Sequence, residues 1–554
     1  MILNIEKINT GFERLAQHIL KRRWLYLLLF VVTIIACMYG STKIQIDTSN
    51  KNSFLESDSI NIQTDHFEEI FGNDQYVIVM LKNENLFSYE SLTLLRELHE
   101  EIVDSAEFIE RVVSLNDIEY TVGDEYGMRI EQIVPDVIPV DKNELAQIRE
   151  KAFAKENFRK RLISKDGTQT LLTIKFLPFP ADWKKDYSMS PDELAGMSVL
   201  NIIEKDKYKS LNPKAIGVPV INHQKREYFA AETSRVMGLA ILLAIVILII
   251  ALRSVWGVIV PILSAISSMI VMYGVVGFIG YPVDNMVLSF PFLIGFAVSI
   301  AYSIHLFSFY KRHFRKHGHR REAIVYSFGE VGWGVLFTAL TTITALLSAL
   351  FIPVKTVRFM GLSTAGIVAA TFIIVMILTP VLLSFGKNKK QHPKYLKNKH
   401  SKFENRLYNL GNWILDNPRK IFVSYLIIMG FLSWGLTKIT VDTNYKKTLG
   451  TKVPYVKNIV AIAETELGSL YSYEVMIELP EASMAKDTEV LHKLELLESK
   501  AQESEMTKKT NSILDVVKDM NMVLNEDNPS YYKIPDNREL VAQMLLLYEN
   551  AGCT

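Results

Sequence analysis

The residues in this sequence with the chemistry to carry protons lie within long apolar segments. Ser299, Tyr302 and His305 follow each other at intervals of three residues, a spacing that places them along one side of a predicted helix. Hydroxyl groups and an imidazole can pass protons, and histidine changes charge near neutral pH. For Tyr302 the alternatives are a place in a proton relay or a hydrogen bond between helices. For His305 they are a relay member or a residue at the membrane surface that contacts a carbonyl or lipid headgroups.

A second set of hydroxyl groups follows in the next apolar segment. Thr341 and Thr342, with Thr338 and Thr344 beside them, are predicted to face the helix of Tyr302 and to supply hydrogen-bond partners. The alternative is that each threonine bonds the backbone of its own helix. In either case they are candidates for transport rather than for catalysis.

The sequence lacks the motifs of several enzyme classes. It contains no Walker-type phosphate-binding loop, no metal-ligand spacing and no nucleophile elbow. We therefore predict no enzymatic activity, no catalytic residues, no metal site, no cofactor and no use of ATP. The 61 Lys and Arg residues nearly balance the 60 Asp and Glu residues, and we predict no nucleic-acid partner.

Seven apolar segments must position these side chains. The chain has 554 residues, of which 49% are hydrophobic. A helix needs about 20 apolar residues to cross a hydrocarbon core about 30 Å thick. The segments that approach or reach this length, numbered here as spans 1 to 7, are 24–39, 236–252, 255–279, 286–309, 331–352, 359–385 and 421–435.

Span 1 has a second interpretation as a signal peptide. Lys21, Arg22 and Arg23 precede it, and a loose lipoprotein cleavage box ends at Cys37. Span 7 argues against this interpretation, because it begins a similar segment deep inside the chain where no signal peptide acts. The sequence has two cysteines, which predicts that no disulfide framework holds the regions between spans.

Basic residues near the ends of the spans predict the orientation. Lys and Arg concentrate on the cytoplasmic side, since they resist translocation. They precede span 1, they lie in the turn between spans 2 and 3 at Arg253, and they cluster at 311–321 after span 4 and at 386–402 after span 6. The N terminus is therefore predicted in the cytoplasm, and the two long regions after spans 1 and 7 on the periplasmic or outer side.

An internal repeat relates the two ends of the chain. Residues 42–48 after span 1 read TKIQIDT, and residues 437–443 after span 7 read TKITVDT, 395 positions later. The strand-like segment 76–81 is answered by 473–477 in almost the same register. Span 7 is therefore predicted to begin a second copy that stops partway through its domain, as in a truncated parallel repeat of a transporter.

Alternating strand-like and helix-like stretches between spans 1 and 2 predict a pair of small ferredoxin-like α+β units. The fold class predicted is an α-helical polytopic membrane protein with seven transmembrane helices and α+β domains outside the membrane. The predicted regions are an amphipathic cytoplasmic N terminus at 1–23, span 1 at 24–40, a first domain at 41–234, the bundle of spans 2 to 6 at 235–385, a basic linker at 386–420, span 7 at 421–436 and a truncated second domain at 437–554.

Several short motifs occur in an order and spacing that resemble a known family. They are Ala215–Val220 before span 2, the turn Leu252–Gly257, Gly280–Pro282 after span 3, Gly295–Leu306 in span 4, Phe337–Thr342 in span 5 and Leu378–Pro380 in span 6. Together they resemble the MMPL branch of the RND superfamily of exporters, whose span 2 to 6 unit is shared with sterol-sensing proteins.

The resemblance implies an RND fold of twelve helices in two repeats, with two periplasmic porter domains, in the bacterial inner membrane. It implies export of lipids or other hydrophobic or amphiphilic compounds, driven by inward proton flow rather than by a cofactor. Membrane lipids and such a substrate are the partners it implies, and an oligomer or a periplasmic adaptor are further candidates.

One departure from the family pattern bears on the mechanism. Members of this branch usually place an aspartate just before the tyrosine of span 4, and this sequence has Ala301 there. Spans 2 to 6 hold no Asp or Glu in their interiors, with Asp284 and Glu330 at the edges. Ionisable groups within a membrane are costly and mark coupling sites. Either the carboxylate belongs to the second repeat, or proton coupling has been lost.

Three functions follow as alternatives. The first is a proton-driven exporter, the second a lipid- or sterol-sensing protein that does not transport, and the third an accessory motor of protein export. Ala301 favours the second, and a seventh span that opens a second domain argues against the third. In all of them, small residues allow close helix packing. The glycines predicted to do so are Gly274, Gly277, Gly295, Gly332 and Gly334.

Overall fold

The computed structural model describes most of the chain. The described residues are 5–47, 50–73, 75–124, 127–154, 162–180, 183, 187, 189–388, 402–440, 445–468, 473–481, 483–505 and 507–550. Residues 389–401 of the basic linker and 441–443 of the internal repeat lie outside them. The chain forms two compact units: a membrane unit of Met1–Leu55 and Phe229–Thr448, and an α+β unit of Glu56–Tyr228 and Leu449–Thr554.

Helices make up most of both units. They are α1 (Ile5–Lys21), α2 (Arg23–Ser41), α3 (Ser59–Phe71), α4 (Tyr89–Ser105), α5 (Lys142–Ala154), α6 (Pro191–Ile203), α7 (Val218–Leu252), α8 (Val255–Ile279), α9 (Asn285–His317), α10 (Arg320–Leu347), α11 (Lys355–Ser384), α12 (Lys402–Asp416), α13 (Pro418–Trp434), α14 (Tyr445–Thr448), α15 (Pro454–Ala463), α16 (Thr488–Gln502), α17 (Ile513–Val523) and α18 (Arg538–Asn550). The strands are β1 (Tyr76–Lys82), β2 (Ile109–Val113), β3 (Glu119–Asp124), β4 (Gly127–Gln132), β5 (Gln169–Phe176) and β6 (Lys214–Ile216).

Within the described residues, seven helical segments are long and apolar enough to cross a membrane. They correspond in order to spans 1 to 7 and involve α2, α7, α8, α9, α10, α11 and α13. The polytopic helical fold class is thus confirmed. The helices of spans 2, 4 and 5 extend well beyond the apolar segments. The helix of span 2, for example, begins 18 residues before its apolar segment.

Glycines bring the membrane helices into close contact. A Cβ atom added to Gly277 of α8 would lie 1.9 Å from the carbonyl oxygen of Gly40 in α2, and one on Gly274 would lie 2.4 Å from the carbonyl oxygen of Cys37. In the same way, a Cβ atom added to Gly295 of α9 would lie 2.0 Å from the Cγ2 atom of Ile367 in α11. Lipid tails are as apolar as the side chains of the helices, so the hydrophobic effect does not drive helix association in a membrane. Close contacts of this kind supply the packing energy instead.

The N-terminal helix packs on the membrane bundle. α1 buries Phe12, Ala16 and Leu20 in the same apolar cluster as side chains of α10. Gly332 makes room for the ring of Phe12, and Gly329 makes room for the side chain of Glu13. The apolar face that the sequence shows in this segment is therefore covered by protein. Gly334, in contrast, has open space where a side chain would be and takes no part in such a contact.

The α+β unit contains a ferredoxin-like sheet. Its strand order is β2-β5-β1-β6, and the neighbouring strands are antiparallel. α4 connects β1 to β2 and α6 connects β5 to β6, which is the split βαβ arrangement of that fold. Apolar side chains of β1 alternate with a period of two, so Val77, Val79 and Leu81 enter the core beneath α4.

The second ferredoxin-like unit predicted for this region does not form among the described residues. β3 and β4 pair with each other as a separate hairpin. The repeat segment 473–477 has no assigned secondary structure or strand pairing in the described chain, and Tyr473 and Val475 are largely exposed. Its counterpart β1 is a strand because β5 and β6 flank it on both sides.

The stretch after span 7 packs on the first α+β region. Ile462 and Leu467 join Met80 and Leu171 in one apolar cluster. The backbone N–H of Gly123 in the hairpin donates to a carboxylate oxygen of Asp527 at 2.9 Å. The structure thus combines parts of the regions 41–234 and 437–554 in one unit.

A carboxylate with three hydrogen-bond partners ties α4 to the segment after α6. Glu101 accepts hydrogen bonds from Lys205 and Lys207, and from the hydroxyl group of Tyr208 at 2.6 Å. These contacts hold the pKa of Glu101 at about 2. Tyr208 is fully buried, and burial followed by the hydrogen bond to Glu101 raises its pKa to about 12.

We expect Glu101→Gln to lower the free energy of unfolding of the α+β unit at pH 7 by about 1–2 kcal/mol, because the substitution removes the charge that pairs with Lys205 and Lys207. The effect is limited because both lysines are half-exposed and water screens their charges. A carboxyl group whose pKa is lower in the folded than in the unfolded state stabilises the fold at any pH above the pKa of the unfolded state. This contribution disappears as the pH falls toward 2. Thermal unfolding of the full chain between pH 7 and pH 3 measures both effects. Glu97→Gln on the exposed side of α4 is the matched control, and an equal effect of both substitutions would contradict the assignment.

Candidate functional site

α8, α9 and α11 each bury hydroxyl groups inside the membrane unit. Ser299 of α9 is fully buried, and its hydroxyl group donates to the carbonyl oxygen of Pro261 in α8 at 3.3 Å. This bond links two neighbouring membrane helices. It places Ser299 among the buried residues of the bundle.

Tyr302 lies one turn further along α9 and is also buried. Its ring packs in a cluster with Leu248 of α7, Leu306 of α9 and Val375 of α11. Its hydroxyl group has no hydrogen-bond partner among the described residues. The same holds for four other buried hydroxyl groups of the bundle, those of Ser264, Ser303, Thr371 and Thr379. A buried hydroxyl group without a partner costs free energy, so these five hydroxyl groups are the unusual chemical feature of the membrane unit.

His305 is not one of these buried groups. The structure exposes His305 and buries Ser299 and Tyr302. Each step of three residues along a helix falls about 60° short of a full turn, so two steps rotate a side chain by about 120°. The predicted stripe therefore divides between two faces. His305 shares the exposed face of α9 with Ala297 and Ala301.

Ala301, which stands where the family usually has an aspartate, is thus on the exposed face of α9. A side chain at this position would not lie on the face that buries Ser299 and Tyr302. Asp284 precedes the start of α9, and Glu330 is exposed on α10. Among the described residues, no group of three or more His, Cys, Asp or Glu side chains is arranged to hold a metal ion.

The threonines of α10 differ from the prediction that they face α9. Thr341 is exposed and Thr342 is half-buried. The hydroxyl group of Thr341 donates to the carbonyl oxygen of Phe337 at 3.0 Å, and that of Thr342 to the carbonyl oxygen of Thr338 at 2.8 Å. Both bonds stay within their own helix. α10 turns another face, including Phe328 and Ala339, toward the bundle, so the threonines supply no partner to Tyr302.

Sequence reasoning missed the hydroxyl groups of Ser264, Ser303, Thr371 and Thr379. Each is a single small polar residue in an apolar segment, and nothing in its neighbours indicates which side of the helix will be buried. A search for all Ser and Thr residues at helical spacing from Ser299 and Tyr302 would have found Ser303. The residues on α8 and α11 require the packing of three helices to be known.

Comparison with known proteins identifies the class of this architecture. The model of the MMPL family matches residues 53–421, a region that includes the ferredoxin-like sheet, spans 2 to 6 and the linker to span 7. The chain belongs to the MMPL family. The resemblance noted in the sequence is thereby confirmed, and the MMPL membership agrees with an RND-type transporter.

A curated relative of this MMPL protein is the membrane protein YdfJ of Bacillus subtilis. The two are 27% identical over 276 residues, which is 49% of this chain and 36% of the relative. The match therefore covers about a third of the length of YdfJ. The name of YdfJ describes a membrane protein, in agreement with the seven spans.

The lack of a protein partner for Tyr302 can be tested with two tyrosines of the bundle. We expect Tyr302→Phe to leave the thermal stability unchanged or to raise it by up to about 1 kcal/mol, because it removes a buried hydroxyl group that no protein group satisfies. Tyr273→Phe is the control, since the hydroxyl group of Tyr273 donates to the carbonyl oxygen of Leu288 at 2.6 Å. Its loss should destabilise the protein by about 1 kcal/mol.

Unfolding of both variants in lipid nanodiscs, followed by scanning fluorimetry, gives the comparison. Equal destabilisation by the two substitutions would show that Tyr302 has a hydrogen-bond partner and would contradict the assignment.

Proposed function

We propose that this MMPL-family chain is part of an RND-type secondary transporter that exports lipids or other hydrophobic or amphiphilic compounds, powered by the proton-motive force. The observation that carries the proposal is the family match across both the ferredoxin-like sheet and spans 2 to 6. In this combination a membrane bundle supplies movement and an α+β unit outside the membrane handles the substrate.

The proposed location is the bacterial inner membrane, with the N terminus in the cytoplasm. The support is the distribution of basic residues, which gather before α2, at the turn between α7 and α8 and after α9. The α+β unit then lies in the periplasm. Membrane lipids and the transported compound are the proposed partners, and a homo-oligomer or a periplasmic adaptor would complete the path.

The buried hydroxyl groups without protein partners suggest how protons would cross the bundle of spans 2 to 6. Buried polar groups that lack protein partners are usually satisfied by water, which bridges them at two to four hydrogen bonds each. Waters bound to Ser303, Tyr302 and Thr371 would connect α9 to α11. Spans 2 to 6 contain no interior carboxylate, so these hydroxyl groups and waters would conduct protons without holding one. The group that holds the proton would then lie outside spans 2 to 6.

A second candidate function is a lipid or sterol sensor that binds without transport. The observation in its favour is Ala301, which removes the carboxylate that the family usually has there. The two functions differ in whether a proton gradient moves a compound across the membrane. The presence of bound lipid alone agrees with both.

Proteoliposomes separate these functions. The full chain would be reconstituted with entrapped pyranine as a pH indicator and with a fluorescent NBD-labelled phospholipid as the transport probe. Export predicts that an imposed proton gradient accelerates probe movement at least severalfold over empty liposomes and that the gradient decays faster. A sensor predicts bound probe and no gradient-dependent movement, and that result would contradict the export proposal.

Two glycine variants provide an internal comparison. Gly295→Leu should abolish the gradient-dependent movement, because a side chain there meets Ile367 of α11 and separates the helices beside Ser299. Gly334→Leu should leave it unchanged, because the space around Gly334 is open. Equal rates for the two variants would show that the contact between α9 and α11 is not needed for transport.

A further inference from the structure

A groove runs along the contact between α1 and α10 in the membrane unit. It is bounded by residues 13–21 of α1, by His313 near the end of α9 and by residues 321–326 of α10, and its volume is about 510 Å³. Binding sites for small molecules usually have volumes of about 300–1,000 Å³. This α1–α10 groove is therefore large enough for a lipid headgroup.

Four charged side chains line the α1–α10 groove. They are Glu13 and Lys21 of α1 and Arg321 and Glu322 of α10, so the two positive charges balance the two negative ones. Among the residues that the structure describes, none of the four forms an ion pair or a side-chain hydrogen bond. The groove thus offers both cations and carboxylates to a ligand that carries both signs of charge.

Topology explains only the cations of this lining. Lys and Arg gather at the cytoplasmic ends of membrane spans, which accounts for Lys21 and Arg321 but not for the carboxylates. Glu322 is in the first turn of α10, where the helix dipole favours negative charge. Glu13 has no such reason, because it lies in the middle of α1, is partly buried and occupies the space above Gly329. A carboxylate in this position needs a positive partner.

Aromatic rings form one wall of the groove. The ring of His313 stacks with those of His317 and Tyr326, and the centroid distance is 4.2 Å in both pairs. Tyr326 is 40% exposed, so part of its ring is accessible to a ligand. Tyrosine rings attract ammonium groups, and tyrosine is enriched at the level of lipid headgroups.

The groove lies beside the ends of three spans. Lys21 precedes span 1 by three residues, His313 follows span 4 by four residues, and Tyr326 precedes span 5 by five residues. Lipid headgroups occupy the layer that borders the hydrocarbon core. The position of the groove therefore matches that of a headgroup.

The exposed face of α10 continues from Tyr326 along span 5. Trp333, Phe337 and Leu340 follow Tyr326 after 7, 11 and 14 residues, which places them within about 40° of the same side of the helix. Phe337 is 55% exposed and Leu340 is 50% exposed. Glu330, also exposed on this face, marks the edge of the span. An acyl chain can lie along the apolar part of this face, whereas a soluble ligand gains nothing from it.

We propose that the α1–α10 groove binds a phospholipid whose headgroup carries both a phosphate and a primary ammonium group, as in phosphatidylethanolamine. The phosphate pairs with Lys21 and Arg321, and the ammonium group donates hydrogen bonds to Glu13 and Glu322. An anionic lipid without an ammonium group would leave both carboxylates unpaired. The leaflet that supplies the lipid depends on the proposed orientation, but the binding site depends neither on that orientation nor on transport.

Native mass spectrometry of the full chain in detergent measures the lipid preference. The probes are phosphatidylethanolamine, phosphatidylglycerol, which has no ammonium group, and phosphatidylcholine, whose ammonium group has no N–H. We expect phosphatidylethanolamine to bind at least about fivefold more tightly than the other two, because it alone can satisfy both pairs of charges. Equal binding of the three lipids would overturn the proposal.

Free phosphoethanolamine distinguishes a lipid from a soluble ligand with the same charges. It lacks acyl chains, so we expect it to displace phosphatidylethanolamine only at concentrations at least about tenfold higher than those of the lipid. Displacement at equal concentration would show that the groove takes a soluble zwitterion and would overturn the assignment to a phospholipid.

Substitutions then connect the preference to the groove. Glu13→Gln combined with Glu322→Gln should weaken phosphatidylethanolamine binding by about fivefold or more without weakening phosphatidylglycerol binding. Lys21→Gln combined with Arg321→Gln should weaken the binding of both lipids. Glu322→Lys should reverse the preference in favour of phosphatidylglycerol, because it adds a cation. A purely structural role would not change the order of the two lipids.

Glu6→Gln and Arg14→Gln are the matched controls, since both residues are exposed on α1 outside the groove. Neither should change lipid binding. An unchanged preference in the Glu13→Gln, Glu322→Gln variant, or an equal loss in the controls, would overturn the proposal. If the double variant fails to fold, Glu322→Lys decides, because Glu322 is exposed and a preference that stays with phosphatidylethanolamine would contradict the site.

Discussion

The hydrocarbon core of the membrane accepts almost no unpaired backbone group and almost no charge. The seven spans satisfy the first demand by forming helices, whose backbone hydrogen bonds stay within each segment. Inside the bilayer, apolar side chains gain little by leaving lipid for protein, so the helices associate through close backbone contacts. Gly274 and Gly277 provide such a contact between α2 and α8, and Gly295 lets the side chain of Ile367 in α11 approach the backbone of α9.

The second demand shapes the chemistry of the interior. Spans 2 to 6 bury hydroxyl groups on α8, α9 and α11 and hold no interior carboxylate. Hydroxyl groups stay neutral in the physiological range of pH, so they avoid the cost of a buried charge while they can still bind water. Two acidic residues that the described chain buries, Asp192 and Glu193, are in the α+β unit, where partners from α7 compensate them.

Much of the fold could be predicted from the sequence, because long apolar segments and a two-residue alternation are local signals. The seven spans and the ferredoxin-like arrangement were of this kind. The stripe of Ser299, Tyr302 and His305 was divided by the helical period, and the burial of each face depends on neighbouring helices. The threonines of α10 formed bonds to their own backbone, which was the alternative the sequence left open. The segment 473–477 has the composition of a strand, but a strand also needs neighbours, and these are set by distant parts of the chain.

The contact between α1 and α10 has a consequence for synthesis of the protein. A ribosome completes α1 at residue 21, and α10 begins at residue 320. At about 5–20 residues per second, roughly 15–60 s separate the two events. During that interval the face of Phe12 and Ala16 lacks the helix that later covers it, and the nascent chain must shelter this face by adsorption to the membrane surface or by a chaperone. A segment that ends as a packed helix of the bundle thus begins as an apolar face that the growing chain must keep from water.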